Sequence, residues 1–205
     1  MARLGPKRRD LAQHAAVTAG FAFMVPESKL EETEHGLVTA SAGWFVVNAC
    51  RARWVHREGR GAVLPFTGWW EEEAVPHFPQ LGVNLFILAP GEPMGMYHGE
   101  EAQEDFLVLS GRCVLIVEGG ERPLAQWDFV HCPAWTEHTI VGAGEDPCVV
   151  LAVGSRVADG IRFPANEAAL KYGASAERDT TDGSEAYARF QRGHETPYRE
   201  GWLPE

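Results

Sequence analysis

From Gly43 to Gly154 the apolar residues come in short runs, cut at close intervals by glycine and proline. GWFVVNA (43–49), CRARWVHR (50–57) and LGVNLFILAPG (81–91) come first. FLVLSG (106–111), RCVLIVEGGERPL (112–124), DFVHCP (128–133), HTIVGAG (138–144) and PCVVLAVG (147–154) follow. Such runs read as strands, and no helical pattern of 10–15 residues lies between them, which argues against a parallel α/β sheet. Several runs are apolar at both parities, as strands are when one face lines a barrel and the other is also covered. Gly119-Gly120 is predicted to be a two-residue hairpin turn, because both positions tolerate positive φ. GAGEDP (142–147) reads as another hairpin turn and not as a nucleotide loop, since no helix follows it. An antiparallel sandwich or barrel fits.

With 205 residues, 45% hydrophobic and 23% charged, the chain is long enough for one well-buried domain. A net charge of −11 argues against a nucleic-acid partner, whose phosphates demand a basic face. No apolar run is long enough to span a membrane. Cys50, Cys113, Cys132 and Cys148 form no CxxC pair and read as reduced thiols in or near a core, as in a cytoplasmic protein.

The division expected is an N-terminal extension (1–42), a β-barrel (43–155) and a C-terminal helical extension packed on it (156–205). Arg3, Lys7, Arg8 and Arg9 make the start basic, but Gln13 and His14 interrupt the apolar stretch that a signal peptide needs, so 1–23 is read as a loosely ordered extension. Met24 is an alternative start, because MVPESKLEETEHG opens like an ordinary acidic N-terminus. Residues 58–80 read as a loop whose Trp69 and Trp70, beside Glu71, Glu72 and Glu73, form a lid or a binding lip. Pro164 to Gly173 and Asp182 to Arg192 are predicted helices, the second capped by Asp182 or Ser184. Trp202 and Leu203 are expected to dock on the barrel or on a partner subunit.

The most informative stretch is PGEPMGMYHGEEAQEDFLVLSG, continued by WDFVHCPAWTEHTIVG. It resembles the two motifs of the cupin superfamily. His98 stands at the first histidine of motif one, Glu104 at its glutamate and Gly111 at its glycine, while the second histidine position holds Glu100. Asp128, Pro133 and His138 match motif two, with Trp127 and Trp135 in its two glycine places. GWFVVNA, QLGVNLF and QEDFLVLSG further resemble a group of small single-domain bacterial cupins of unassigned reaction. The resemblance implies an all-β fold, a single antiparallel jelly-roll barrel (a double-stranded β-helix), with short C-terminal helices.

The spacing has a chemical reason. Residues two apart on a strand face the same side, so His98 and Glu100 can both point inward, and Glu104, Phe106 and Val108 can share one parity. Two imidazoles with one or two carboxylates in a narrow barrel suit one divalent metal ion: Fe, Mn, Ni or Zn. The metal set is therefore His98, Glu100, Glu104 and His138. If Glu100 turns away, the other three form a two-histidine, one-carboxylate triad with open positions, the kind used by iron oxygenases. Glu101, Gln103 and Asp105 can substitute if the loop register differs by one. The plainer alternative is that both histidines are satisfied polar residues at a barrel mouth.

Trp135 sits where glycine normally permits a conformation that tryptophan disfavours, so the turn is either rebuilt or strained, and the indole either narrows the pocket or packs on the surface. Met96 is predicted to share the His98 face as an apolar wall, and His131 either faces the cavity or is structural. The function that follows is a metal-binding cupin acting on a small polar molecule, by oxygen-dependent cleavage, isomerisation or decarboxylation. The alternative is a non-catalytic module that binds a small ligand or serves assembly. The partners expected are a small molecule and a second copy of the chain, with neither nucleic acid nor membrane.

Overall fold

A computed structural model describes residues 25–68, 80–156 and 160–204. The expectations for 1–23 and for Trp69, Trp70 and the glutamates after them lie outside the described residues. Among the described residues fourteen short strands carry the fold: β1 (Leu30–Thr33), β2 (Gly36–Thr39), β3 (Trp54–His56), β4 (Ala62–Pro65), β5 (Leu81–Leu88), β6 (Gly99–Glu100), β7 (Glu104–Ser110), β8 (Arg112–Val117), β9 (Gly120–Ala125), β10 (Phe129–Cys132), β11 (His138–Ala143), β12 (Cys148–Ser155), β13 (Ile161–Arg162) and β14 (His194–Thr196). A large sheet runs β10-β7-β12-β5-β4-β3-β14 and faces a small sheet, β11-β8-β9, with two-stranded ribbons β1-β2 and β13-β6 beside them. Every strand pair is antiparallel, and the architecture is the jelly-roll sandwich expected. Among the described residues no helix is long and apolar enough to cross a membrane.

The two parities of the apolar strands fill two cores. Phe86 and Leu88 of β5, Phe106 and Val108 of β7, and Val150 and Ala152 of β12 meet Cys113, Leu115 and Ile140 of the small sheet between the leaves. The opposite parity of the large sheet, Leu64, Leu85, Ile87 and Val149, packs outward with Trp54 beneath Val47, Tyr198, Trp202 and Leu203. On the small sheet's outer face, Ile116 and Val141 meet Tyr97, Ala168 and Ala169. A strand covered on both faces thus reads as a continuous apolar run.

Several local expectations change. Residues 43–49 are not a strand: Trp44 makes one isolated bridge to Glu27, and Asn48 accepts from the Cys50 amide at 2.8 Å to cap a 3₁₀ turn over Ala49–Arg51. The asparagine side chain offers the backbone a local partner that competes with a ladder. The run 50–57 shortens to β3. The β8–β9 turn lies one residue earlier than predicted, on Glu118 (φ 48°) and Gly119 (φ 75°), because the register that sets Cys113 opposite Leu124 makes Gly120 pair with Val117. GAGEDP is not a hairpin but a crossing between leaves, since β11 belongs to the small sheet and β12 to the large one. Cys50 is exposed, unlike the three buried thiols.

The C-terminal segment forms single turns where longer helices are predicted. They are α1 (Glu167–Leu170), whose Asn166 accepts from the Ala169 amide, and α2 (Gly183–Ala186), capped by Asp182. The tail then supplies edge strand β14 and docks on this chain's own sheet, with the Trp202 and Trp54 rings 5.1 Å apart.

Gly111 joins β7 to β8 at φ 77°, and a Cβ there would lie 2.7 Å from the Cys148 Cα. Gly111→Ala therefore combines backbone strain with a clash against main chain, and a loss of about 2 kcal/mol or more is expected in chemical denaturation.

Candidate metal centre

Three strand ends bring the motif residues together. His98 immediately precedes β6, Glu104 opens β7 in the large sheet, and His138 opens β11 in the small one. His98 and His138 form an isolated antiparallel bridge, with the His138 amide donating to the His98 carbonyl at 2.8 Å and the reverse bond at 3.1 Å. Their rings lie 5.0 Å apart. Glu104 Oε2 is 3.1 Å from His138 Nε2 and 3.4 Å from His98 Nε2. One ligand atom from each residue falls within a 4.8 Å group.

The protons decide what this cluster can hold. His98 Nδ1 lies 2.7 Å from the Met96 carbonyl and His138 Nδ1 2.9 Å from that of Thr136. A carbonyl only accepts, so both Nδ1 atoms carry hydrogen and both neutral rings present a bare Nε2 lone pair to Glu104. Acceptor then faces acceptor, and neither Glu104 Oε2 nor His138 Nε2, both buried, has a well-formed hydrogen bond. Convergent lone pairs of this kind need a proton or a cation between them. The two-nitrogen, one-oxygen donor set fits a divalent ion, and the tautomers are already those a metal requires.

Without an ion the cluster retains a proton. Burial disfavours charge on His138, but the Cys132 thiol and Glu104 beside it outweigh that and lift its pKa to about 10. Burial likewise pushes Glu104 upward, yet His138 and then His98, both close to it, hold its carboxyl well below the usual range.

Glu100 lines the same cavity but stands outside the three-residue group. Burial, followed by the Glu104 charge, raises its pKa to about 7, while both histidines act in the opposite sense. In chelator-treated protein this group destabilises the fold as pH rises from its ordinary value of 4.5 through 7, because the unfolded chain ionises first. Glu100→Gln is therefore expected to raise the melting temperature at pH 8 and to leave it nearly unchanged at pH 4.

The cluster opens into a cavity of about 1140 Å³ between the leaves, walled by Phe86, Phe106, Ile140 and Phe163. Arg57, Arg60, Asn84 and Tyr187 also line it, and the sequence motifs point to none of them. Arg57 had one local sign, an arginine directly after the apolar WVH of β3. His131 does not face the cavity: it is half exposed and paired with Asp105 at 2.7 Å. Met96 turns away from the cavity to pack with Phe163, Ala176 and Ala186.

The glycine places of motif two keep their backbone conformation despite their residues. Trp127 has φ 74° and Trp135 φ 68°, so neither turn is rebuilt. The Trp135 indole stays at the surface with the Arg162 guanidinium 5.5 Å from its ring. Trp127 is 67% exposed and carries left-handed strain with little packing in return. Trp127→Gly is expected to raise stability by about 1 kcal/mol, read from the denaturation midpoint.

Residues 84–154 match the family model described as Cupin domain. Strand order, motif positions and the His98, Glu104 and His138 cluster agree with that match, and residues 84–154 are a cupin domain. Among solved structures it is similar to a protein of Acidithiobacillus ferrooxidans provisionally named a sugar phosphate isomerase, at 32% identity, 40% of this chain, 54% of the other and a TM-score of 0.38. It is also similar to a cupin 2 domain-containing protein of Halorhodospira halophila (19%, 55% and 75%, 0.43). The DMSP lyase DddQ of Ruegeria pomeroyi is a third (21%, 50% and 50%, 0.40). The chain thus spans about half the length of the first and third of these. No curated protein matches the sequence.

Proposed function

We propose that the protein is a metal-dependent enzyme acting on a small polar molecule, with His98, Glu104 and His138 holding one divalent ion. The observation that carries this reading is the convergence of three lone pairs, two on rings whose other nitrogen is already committed to a carbonyl. When bound, the ion supplies polarisation of substrate oxygens and, if it is iron, access to oxygen chemistry. Oxygen-dependent cleavage, isomerisation and decarboxylation are the reaction types considered, and a two-histidine, one-carboxylate set supports the first.

The remaining roles fall to the chain's own groups. Glu100 is the group that exchanges a proton with substrate at its carboxylate, since it lines the cavity beside the cluster without joining it. Asn84 Oδ1, buried and without a partner, accepts from a substrate hydroxyl or amine. Phe86, Phe106 and Phe163 exclude water. The reading includes the division into extension, barrel (43–155) and C-terminal segment. It also includes pairing of two copies through a sheet face, for which the exposed Trp127 and Phe129 beside edge strand β10 offer apolar surface.

Elemental analysis of protein purified without chelator or metal-affinity resin tests the reading, alongside a Glu104→Ala/His138→Ala variant. Near-stoichiometric metal that is absent from the variant is expected, and iron directs the next assay to oxygen consumption with small acids and phenols. No metal in either protein after reconstitution overturns it.

A further inference from the structure

The cavity holds a second chemical feature, away from the metal cluster. Arg57 and Arg60 belong to the turn between β3 and β4, closed by the Arg57 amide on the Gly61 carbonyl (2.8 Å) and the Arg60 amide on the Arg57 carbonyl (2.8 Å). Arg57 is 5% exposed. Its two terminal nitrogens donate to the Met94 and Arg60 carbonyls at 3.0 and 2.7 Å, and its guanidinium lies 5.1 Å from the Phe86 ring centre. The Arg60 guanidinium stacks over Tyr187 at 4.7 Å and Phe190 at 5.0 Å. Both side chains are therefore fixed in place before any ligand arrives.

Neutral carbonyls and ring faces satisfy hydrogen bonds without cancelling charge. Neither arginine is ion-paired with a described carboxylate, and the Nε of each is buried with no partner. Of the acids that line the cavity, Glu195 is engaged with Arg53 at 2.7 Å, Asp182 with the Ser184 amide and Glu104 with the histidines, while Glu100 stands beside the metal cluster and pairs with neither arginine. Two cations held close in a buried wall, with unused donors, lack an anion. Burial and then Arg60 lower the Arg57 pKa to about 9, against Tyr187 and Glu92, which act in the opposite sense.

Position links this feature to the metal cluster. Arg57 bonds the Met94 carbonyl and His98 bonds that of Met96. Carbonyls two residues apart lie at most about 7 Å from each other, so guanidinium and imidazole are separated by on the order of 10 Å. One small metabolite can touch both.

We propose that Arg57 and Arg60 form an oxyanion subsite, so that the molecule acted on is a small organic acid whose carboxylate or phosphate sits against the two guanidiniums while its other end reaches His98, Glu104 and His138. Guanidiniums match either oxyanion, and the unused Nε–H groups are the donors available. The Tyr187 hydroxyl accepts from the Met96 amide at 3.1 Å and keeps its own proton to add a third donor. The inference rests on the cavity receiving a small molecule, but it does not need an ion in the cluster.

The test is calorimetric titration of chelator-treated protein with inorganic phosphate and, separately, with malonate, for wild type and Arg60→Gln. Saturable binding of at least one anion is expected, weakened about tenfold or more in the variant, and the tighter anion identifies the group recognised. Metal loading of Arg60→Gln should equal that of wild type, so a failed metal reading and a failed anion reading give different patterns. Arg60→Lys, which keeps the charge but loses the fork, guards against misfolding and is expected to lose several-fold affinity with an unchanged circular dichroism spectrum. Binding of neither anion to wild type, or equal binding to wild type and both variants, overturns the proposal.

Discussion

The affinity of chelator-treated protein for Zn²⁺ or Mn²⁺ is expected to rise about tenfold for each pH unit between pH 6 and 8, with close to one proton released per ion. The proton is the one on His138 Nε2. Its pKa of about 10 means that an ion arriving near neutrality must displace it. In His138→Ala the affinity should fall more than about 100-fold, since disturbing even a group that only orients a ligand costs 10–100-fold. The pH slope should flatten in the same variant. Titration calorimetry in buffers of different ionisation enthalpy reads both quantities, and a flat wild-type profile would show that His138 is not a ligand.

The same groups set the stability of the ion-free fold. His138 has a raised pKa, so its contribution is complete below about 6.5 and is lost as pH climbs towards 10. Glu104 has a depressed pKa, so its contribution is complete above about 4.5 and is lost on acidification. Between 4.5 and 6.5 both contributions are present together.

Trp54→Ala is expected to cost about 3–5 kcal/mol, the largest loss of stability for any single change considered. The side chain is fully buried on the outer face of the large sheet, its Nε1 donating to the Ala49 carbonyl at 2.9 Å. Tyr198 and Trp202 of the tail close over it, their ring centres 6.2 and 5.1 Å away. Truncation leaves a cavity, strands the Ala49 carbonyl and loosens the tail that carries β14. Trp54→Phe keeps much of the volume and should cost distinctly less. Urea denaturation followed by circular dichroism measures both, and a cost below about 1 kcal/mol for alanine would place the tail outside the cooperative unit.

Strand positions from Leu81 onward were legible because their apolar residues do double duty, facing the sandwich interior at one parity and an outer layer at the other. Residues 43–49 carried the same residue types but failed as a strand. Val47 and Ala49 pack against the outer core while Trp44 and Val46 stay exposed and Asn48 turns the backbone, and composition does not register that difference. The predicted helices at 164–173 and 182–192 shrank to single turns because tertiary packing of Ala168, Ala169 and Ala186, not propensity, sets their extent.

For the candidate site, His98, Glu104 and His138 were legible from motif spacing, which encodes three strand ends converging. The place of Glu100 was not. The rule that residues two apart share a face requires a regular strand, and His98 only precedes β6, so two-residue spacing does not carry the Glu100 carboxylate into the same group as the imidazole. Arg57 and Arg60 were hidden for another reason: in the sequence they look like solvated charges at a turn, and only the closing of the sandwich over the turn makes them an internal wall.

The backbone bridge between His98 and His138 gives the site a mechanical side. Glu104 belongs to one leaf, His138 to the other, and His98 is tied to His138 by two main-chain bonds. A cation gripped by all three would act as a rivet through the open end of the sandwich. Prying the leaves apart would then have to break coordination first, so the exchange of amide hydrogens at the starts of β7 and β11 would report occupancy from inside the fold.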